Sequence, residues 1–398
     1  MVGCFDSKSE DFTYLYRCLV EMGVGVLSVD TGVRSSKVDF PIDIEAAQVA
    51  SAAGTSLEEL IDADDRGSVV EKMGVGAARV LANIVVEKSI HGVIGMGGGG
   101  GTYICLSAMQ GVPFGIPKLC LSTVATKDLS RQVGTKDIVL MPSVVDIAGI
   151  NSVSSLLIKQ AAGAIVGMMS VEPDPISSAS LTIGVSMFGN TTECVDACTE
   201  LLKSQGHEVL AFHAVGIGGK TMEALVRDGR IHAVLDITTT ELADELCDGI
   251  CSAGPKRLTA AGEMGIPQVV VPGCLDMVNF GHLDSVPNRF KDRQLHSWAP
   301  DVTLMRTNAE ENEALASEIA TKLNSARGPV AVILPMHGIS VVSSKGGIFH
   351  NPRIEQILFS TLKSEINNTI PVFEVQANIN DRAFAEKAVE TLLGFLNN

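Results

Sequence analysis

Aromatic side chains are scarce in this chain: its 398 residues include one Trp, three Tyr and 13 Phe, 4% in all. That scarcity argues against a sandwich or barrel packed around aromatic rings. Basic residues are also few, 30 Lys and Arg against 46 Asp and Glu, and the resulting formal charge of −16 repels nucleic-acid phosphates and anionic lipid. Neither nucleic acid nor a membrane surface is an expected partner. No uninterrupted apolar run reaches the roughly 18 residues of a membrane span, and the start, Met1-Val2-Gly3-Cys4-Phe5-Asp6, lacks the basic and apolar regions of a secretion signal. The nine cysteines are an odd number. Cys194/Cys198 and Cys247/Cys251 are spaced to share a helix face but have no histidine at metal-ligand spacing, so they read as reduced, buried small hydrophobes of a cytoplasmic protein, without a metal site.

What the chain does have is aliphatic residues and glycine: 46% of it is hydrophobic and 39 residues are Gly. Apolar runs of strand length alternate with Gly-rich turns and helical patterns, the βα rhythm of a parallel sheet. In the first half the strands are expected at 1–5, 25–29, 92–96, 118–121 and 138–141, with helices at 43–53, 68–88 and 152–169. After a Pro-containing connection at 172–180, strands are expected at 181–187, 208–213, 233–237, 268–271, 302–305, 330–334 and 372–375. Helices at 191–204, 221–227, 310–323 and 382–396 separate several of these. The fold class is α/β: two doubly wound, Rossmann-like domains, 1–175 and 181–398, with mostly parallel sheets whose carboxyl-end loops line a shared cleft.

The strongest local signal is the strand pattern that ends at Met96 and runs into Gly97, Gly98, Gly99, Gly100 and Gly101, then Thr102. A strand, a loop without side chains and a helix in that order gather N–H groups where the helix dipole is positive, a cradle for phosphate oxygens. Five glycines cost more backbone entropy than close packing alone justifies. The run lacks the lysine of a P-loop. Asp6, Ser7 and Lys8 follow the first strand, where Ser7 and Glu10 also fit a capping box and Asp6 suits Mg²⁺ or a ribose hydroxyl. Asp30 ends the second strand, the place from which a carboxylate meets ribose, or simply forms a turn.

The second half repeats the theme with Gly189, Asn190 and Thr191, and with Gly218, Gly219 and Lys220, each at a helix start. Thr238, Asp276 and Asn279 follow further strands, and His337 follows another as a candidate acid/base with Asp276. Two functions fit: a nucleotide-binding protein, or an enzyme (ligase, kinase, hydrolase or lyase) acting on a small carboxylate or phosphorylated metabolite in the interdomain cleft.

Taken together, residues 3–10, 95–102, 121–128, 141–150, 271–281, 304–307 and 334–340 resemble the family that contains the ATP-binding N-terminal region of the tomato mosaic virus resistance protein and its bacterial and fungal relatives. The resemblance implies a two-domain α/β protein that binds ATP with Mg²⁺ and self-associates, most simply as a dimer. Small-residue segments at 74–82 and 161–169 offer surfaces for that association. The sequence departs from the family's pattern at Ser7, where a threonine is usual, and at Val341-Val342-Ser343-Ser344, where an aspartate is expected.

Overall fold

The computed structural model describes residues 1–63, 65–87, 90–172 and 180–397. By its internal contacts the chain divides into two compact units, Met1–Pro175 and Ile176–Asn398. Apart from its first residue and its last, the connection expected at 172–180 lies outside the described residues.

The first unit runs β1 (Val2–Gly3), α1 (Ser9–Glu21), β2 (Val29–Asp30), α2 (Ala46–Ala52), α3 (Leu57–Asp62), α4 (Arg66–Glu87), β3 (Val93–Gly97), α5 (Gly99–Gln110), β4 (Lys118–Ser122), α6 (Ser130–Val133), β5 (Ile138–Pro142) and α7 (Ser152–Met169). Its sheet is parallel throughout, in the order β2-β1-β3-β4-β5. Both faces are covered, which is why the strands read as continuous apolar runs. Along them the side chains alternate: Val93 and Cys120 pack with the α2, α4 and α5 side, while Ile94, Met96, Leu119 and Leu121 pack with α1 and α7. From β1 the chain winds to β2 on one side, then returns past β1 to build β3, β4 and β5 on the other. The winding direction therefore reverses between β1 and β3, and the carboxyl ends of those two strands frame a crevice.

Small residues bring the helices of this unit close together. A Cβ on Gly76 would stand 2.0 Å from the Val49 carbonyl oxygen, and one on Gly111 2.1 Å from that of Ala78. Much of the small-residue run at 74–82 is thus used inside the unit, where the sequence suggested a surface for another copy. Helix α7 is long and apolar enough to pass as a membrane span by length and composition. Its Ile158, Ala161, Ala162 and Ile165 are buried on the sheet, and Asn151 caps it, its Oδ1 accepting from the N–H groups of Val153 and Ser154, both at 2.9 Å.

The second unit runs β6 (Thr182–Met187), α8 (Thr192–Ser204), β7 (Glu208–His213), α9 (Ile217–Arg227), β8 (Ala233–Thr238), α10 (Thr240–Cys247), α11 (Ala260–Met264), β9 (Gln268–Gly273), β10 (Met277–Phe280), β11 (Leu295–Ala299), β12 (Val302–Arg306), α12 (Ala309–Asn324), β13 (Val330–Pro335), α13 (Pro352–Glu365), β14 (Val372–Val375) and α14 (Arg382–Leu396). Its main sheet has the order β14-β13-β9-β8-β6-β7, again parallel, with the reversal between β6 and β8. The strand expected at 302–305 is not part of it. As β12 it is the centre of a three-stranded antiparallel sheet, β10-β12-β11, because both of its neighbours pair with it antiparallel. Apolar runs alone do not reveal strand direction.

Candidate functional site

At the carboxyl ends of β1 and β3 the first unit holds a cavity of about 790 Å³. The glycine run forms its floor. Gly98 is the N-cap of α5, and the N–H of Thr102 already bonds the Gly98 carbonyl at 2.7 Å. The N–H groups of Gly99, Gly100 and Gly101 precede the first intrahelical donor, the Thr102 N–H, and have no partner among the described residues. Close packing explains Gly97, where a Cβ would meet the Gly101 backbone at 2.7 Å, and in part Gly100, where one would stand 3.3 Å from Val70 Cγ2. Around Gly99 nothing lies within 4 Å, and Gly98 and Gly101 would make only ordinary contacts. The floor is therefore open backbone, with the positive end of a 12-residue helix beneath it.

Asp6, Ser7 and Lys8 line the same cavity. The capping box expected of Ser7 and Glu10 does not form. Lys8 stands at the N-cap of α1, and the Ser7 hydroxyl donates to the Cys4 carbonyl at 3.4 Å. Asp6 accepts the Arg34 N–H at 3.1 Å, and the Lys8 ammonium donates to the Ile147 carbonyl. Cys4 also faces the cavity, but burial pushes its thiol up to about 12, so it is no nucleophile near neutral pH.

Two of the expected residues lie behind the wall. Asp30 is 3% exposed, and its Oδ1 accepts the N–H groups of Phe5 at 3.1 Å and Gly32 at 2.8 Å. It ties the loops after β1 and β2 together and does not line the cavity. Burial raises its carboxyl to about 6, with the two N–H bonds pulling the other way. Thr102 is likewise buried, bonded to the Gly97 carbonyl at 3.1 Å and the Ser122 hydroxyl at 2.7 Å, so it braces β3 against β4 beneath the floor.

Sequence reasoning missed the opposite wall, supplied by α3 and α4: Leu60, Ile61, Val69 and Val70 offer an apolar slot, and Arg66 supplies a charge. One signal was available. Arg66 opens α4, where the helix dipole disfavours a cation, and a residue that breaks a local rule is where function is expected.

In the second unit the corresponding positions are filled from within. Glu241 accepts the N–H groups of Gly216 at 2.7 Å and Gly219 at 3.0 Å, so the α9 terminus that Gly218, Gly219 and Lys220 were expected to offer already holds a carboxylate. The same Glu241 meets Arg257, whose guanidinium is fully buried and also grips Asp236 at 2.6 and 2.7 Å. Burial alone would lower the pKa of Arg257, but Asp236, Glu241 and Glu223 outweigh it and hold the group charged. Thr191 and Thr238 are buried and bond each other at 2.7 Å, while Lys220 is solvent-exposed. Gly189 is exposed and Asn190 buried. Asn279 donates to Asp244 at 2.8 Å. Asp276 is fully buried, its carboxyl raised by burial, and it accepts the Ser340 hydroxyl at 2.8 Å. His337 is exposed, held by its backbone to Ala377 and Asn378, and its imidazole has no partner among the described residues. A buried aspartate and an exposed histidine do not make the acid/base pair expected of them.

The fold and this cavity define a doubly wound α/β protein with an open crevice at the reversal of its first sheet. Residues 1–174 match the N-terminal domain of the uncharacterised protein family UPF0261, and residues 180–396 match its C-terminal domain. The chain belongs to that family. It is 41% identical over 397 residues to a UPF0261 protein of Clostridium tetani, covering 100% of this chain and 98% of the relative, and 39% identical to one of Rhizobium meliloti, covering 98% and 96%. It is also 40% identical to the ToMV resistance protein Tm-1(GCR237) of Solanum lycopersicum, covering 94% of this chain and 51% of the tomato protein, so it spans about half of that protein's length.

Proposed function

We propose that the first unit binds a nucleotide, ATP with Mg²⁺, with its phosphates on the N–H groups of Gly99, Gly100 and Gly101. The observation that carries this reading is the open, unpartnered backbone of that run, facing a cavity of about 790 Å³ at the sheet reversal. Leu60, Ile61, Val69 and Val70 give a base the apolar slot it needs. Asp6, which lines the cavity, would offer its carboxylate to Mg²⁺, and the ion would neutralise phosphate charge there. Asp30 serves the loop and not the ribose.

Calorimetric titration with ATP, ADP, AMP and NAD, each with and without Mg²⁺, tests the reading. ATP binding that Gly99→Asp abolishes, in a protein with native circular dichroism, is the expected result. The new carboxylate repels phosphate by about 1–4 kcal/mol at contact. Absence of heat with every nucleotide sinks the proposal. Self-association is proposed as well, on the outward face of α7, where Leu156 is 57% exposed and a Cβ on Gly167 would touch nothing. Light scattering that returns the monomer mass of 41.8 kDa at micromolar concentration refutes it.

A further inference from the structure

Arg66 stands out among the side chains of the cavity. Its Nη2 lies 3.8 Å from the point where a Cβ on Gly100 would stand, so the guanidinium hangs over the second residue of α5, within the glycine floor. Among the described residues it makes no ion pair. The adjacent Asp65 spends its Oδ1 on the N–H groups of Gly67 at 2.9 Å and Ser68 at 3.3 Å, capping α4. The cavity's other cations are placed differently. Lys8 donates to the Ile147 carbonyl, and Arg34 arrives with the loop after β2. A solvated arginine at the first position of a helix gains nothing from the dipole, and with no carboxylate to pair it has no structural reason to lie over Gly100.

We propose that Arg66 clamps the outer phosphates of the bound nucleotide against the glycine floor and so makes the site read the length of the phosphate chain. This rests on the nucleotide reading given above. The floor has three free N–H groups, at Gly99, Gly100 and Gly101, enough for one phosphate group. Each further phosphate adds negative charge that those groups do not meet. A planar guanidinium donates two N–H groups side by side to two phosphate oxygens, which a single backbone N–H does not. The ligand class is accordingly a nucleoside di- or triphosphate, with the monophosphate bound only through the floor and the apolar slot. Inorganic tripolyphosphate shares the clamped part and is expected to compete.

The test compares the affinities of full-length wild type, Arg66→Gln, Arg66→Lys and Gly99→Asp for ATP, ADP and AMP, and their displacement by tripolyphosphate. Arg66 is exposed, so the native fold is expected in each Arg66 variant, checked by circular dichroism. Arg66→Gln is expected to weaken ATP at least tenfold and AMP less than threefold, with Arg66→Lys recovering part of the loss and tripolyphosphate competing poorly in both. Equal losses for ATP and AMP, or no loss for either while Gly99→Asp still abolishes binding, overturn the clamp and leave the nucleotide site standing. Nucleotide binding that survives Gly99→Asp, or that is absent from wild type, overturns both.

Discussion

Two sheets in this chain reverse direction at corresponding places, between β1 and β3 and between β6 and β8, and a Gly-rich helix start beside each, α5 after β3 and α9 after β7, has opposite contents. In the first, the helix terminus after β3 offers bare N–H groups to open space. In the second, the α9 terminus is stoppered by Glu241, and behind that carboxylate Arg257 and Asp236 close a buried ionic knot. An N-terminal helix dipole attracts an anion in either case. Whether that anion is a ligand or a side chain depends on what a distant segment delivers. In the second unit α10 delivers a glutamate, and in the first α4 delivers an arginine, whose charge complements an anion.

The contrast breaks most forcefully at Arg257. Replacing it by Gln leaves Asp236 and Glu241 buried without their counter-charge, a loss of about 3–5 kcal/mol from the second unit's stability, measured by urea unfolding. A loss under about 1 kcal/mol would mean that the knot is not what closes this crevice. Next in size is the pH response of Asp30 beneath the open floor. Its folded carboxyl titrates at about 6 because it is buried, with smaller upward pushes from Asp6 and Glu45. An unfolded aspartate titrates at about 3.9, so the folded state holds this proton more tightly. Its contribution is complete below about pH 4 and is lost as pH rises to about 6, a swing of about 3 kcal/mol. Asp30→Asn keeps an acceptor for the N–H groups of Phe5 and Gly32 and removes the titration. Wild-type stability should therefore fall between pH 4 and 6 by about 3 kcal/mol more than the variant's does. Parallel curves would exclude Asp30 as a titrating group.

A matched pair of glycine substitutions sharpens the comparison further. A Cβ on Gly219 would stand 2.0 Å from Glu241 Oε2, so Gly219→Ala must displace the stopper, at about 2–3 kcal/mol in thermal or urea unfolding. Gly99→Ala meets nothing within 4 Å and opens a helix, so folding should change by less than about 1 kcal/mol, in the stabilising direction. Equal costs at the two positions would erase the distinction between a filled and an open terminus.

The sequence carried most of this architecture because aliphatic strands buried on both faces leave long apolar runs, and Gly-rich turns mark where each one ends. It carried the glycine floor for a thermodynamic reason: so much unconstrained backbone is costly unless it is used. It did not carry Arg66, Leu60 or Val70, which reach the cavity from α3 and α4, far from the glycine run in sequence. The second crevice was misjudged for the same reason. The segment around Gly219 has the composition of an anion cradle, and Glu241 in the next strand-to-helix turn is the anion that fills it. Asp30 and Thr102 stand at the right sequence positions for ligand contact but are turned inward, because each satisfies backbone or hydroxyl partners that would otherwise be buried unpaired.

Lys220 is the smallest effect and the strictest control. From the sequence it stands at a glycine-rich helix start, as a phosphate-binding lysine would. In the structure it is exposed, and the neighbouring N–H groups of Gly216 and Gly219 already bond Glu241. A phosphate brought there would have to displace a buried carboxylate held by Arg257, exchanging one anion for another with no gain in partners. Lys220→Ala should therefore change ATP affinity by less than about twofold, within the usual range for a surface substitution. Under the same titration conditions Arg66→Gln is expected to cost at least tenfold. A tenfold loss at Lys220 would place phosphate at the second crevice and make Glu241 a displaceable stand-in for the ligand, so that the two crevices would differ in occupancy rather than in kind.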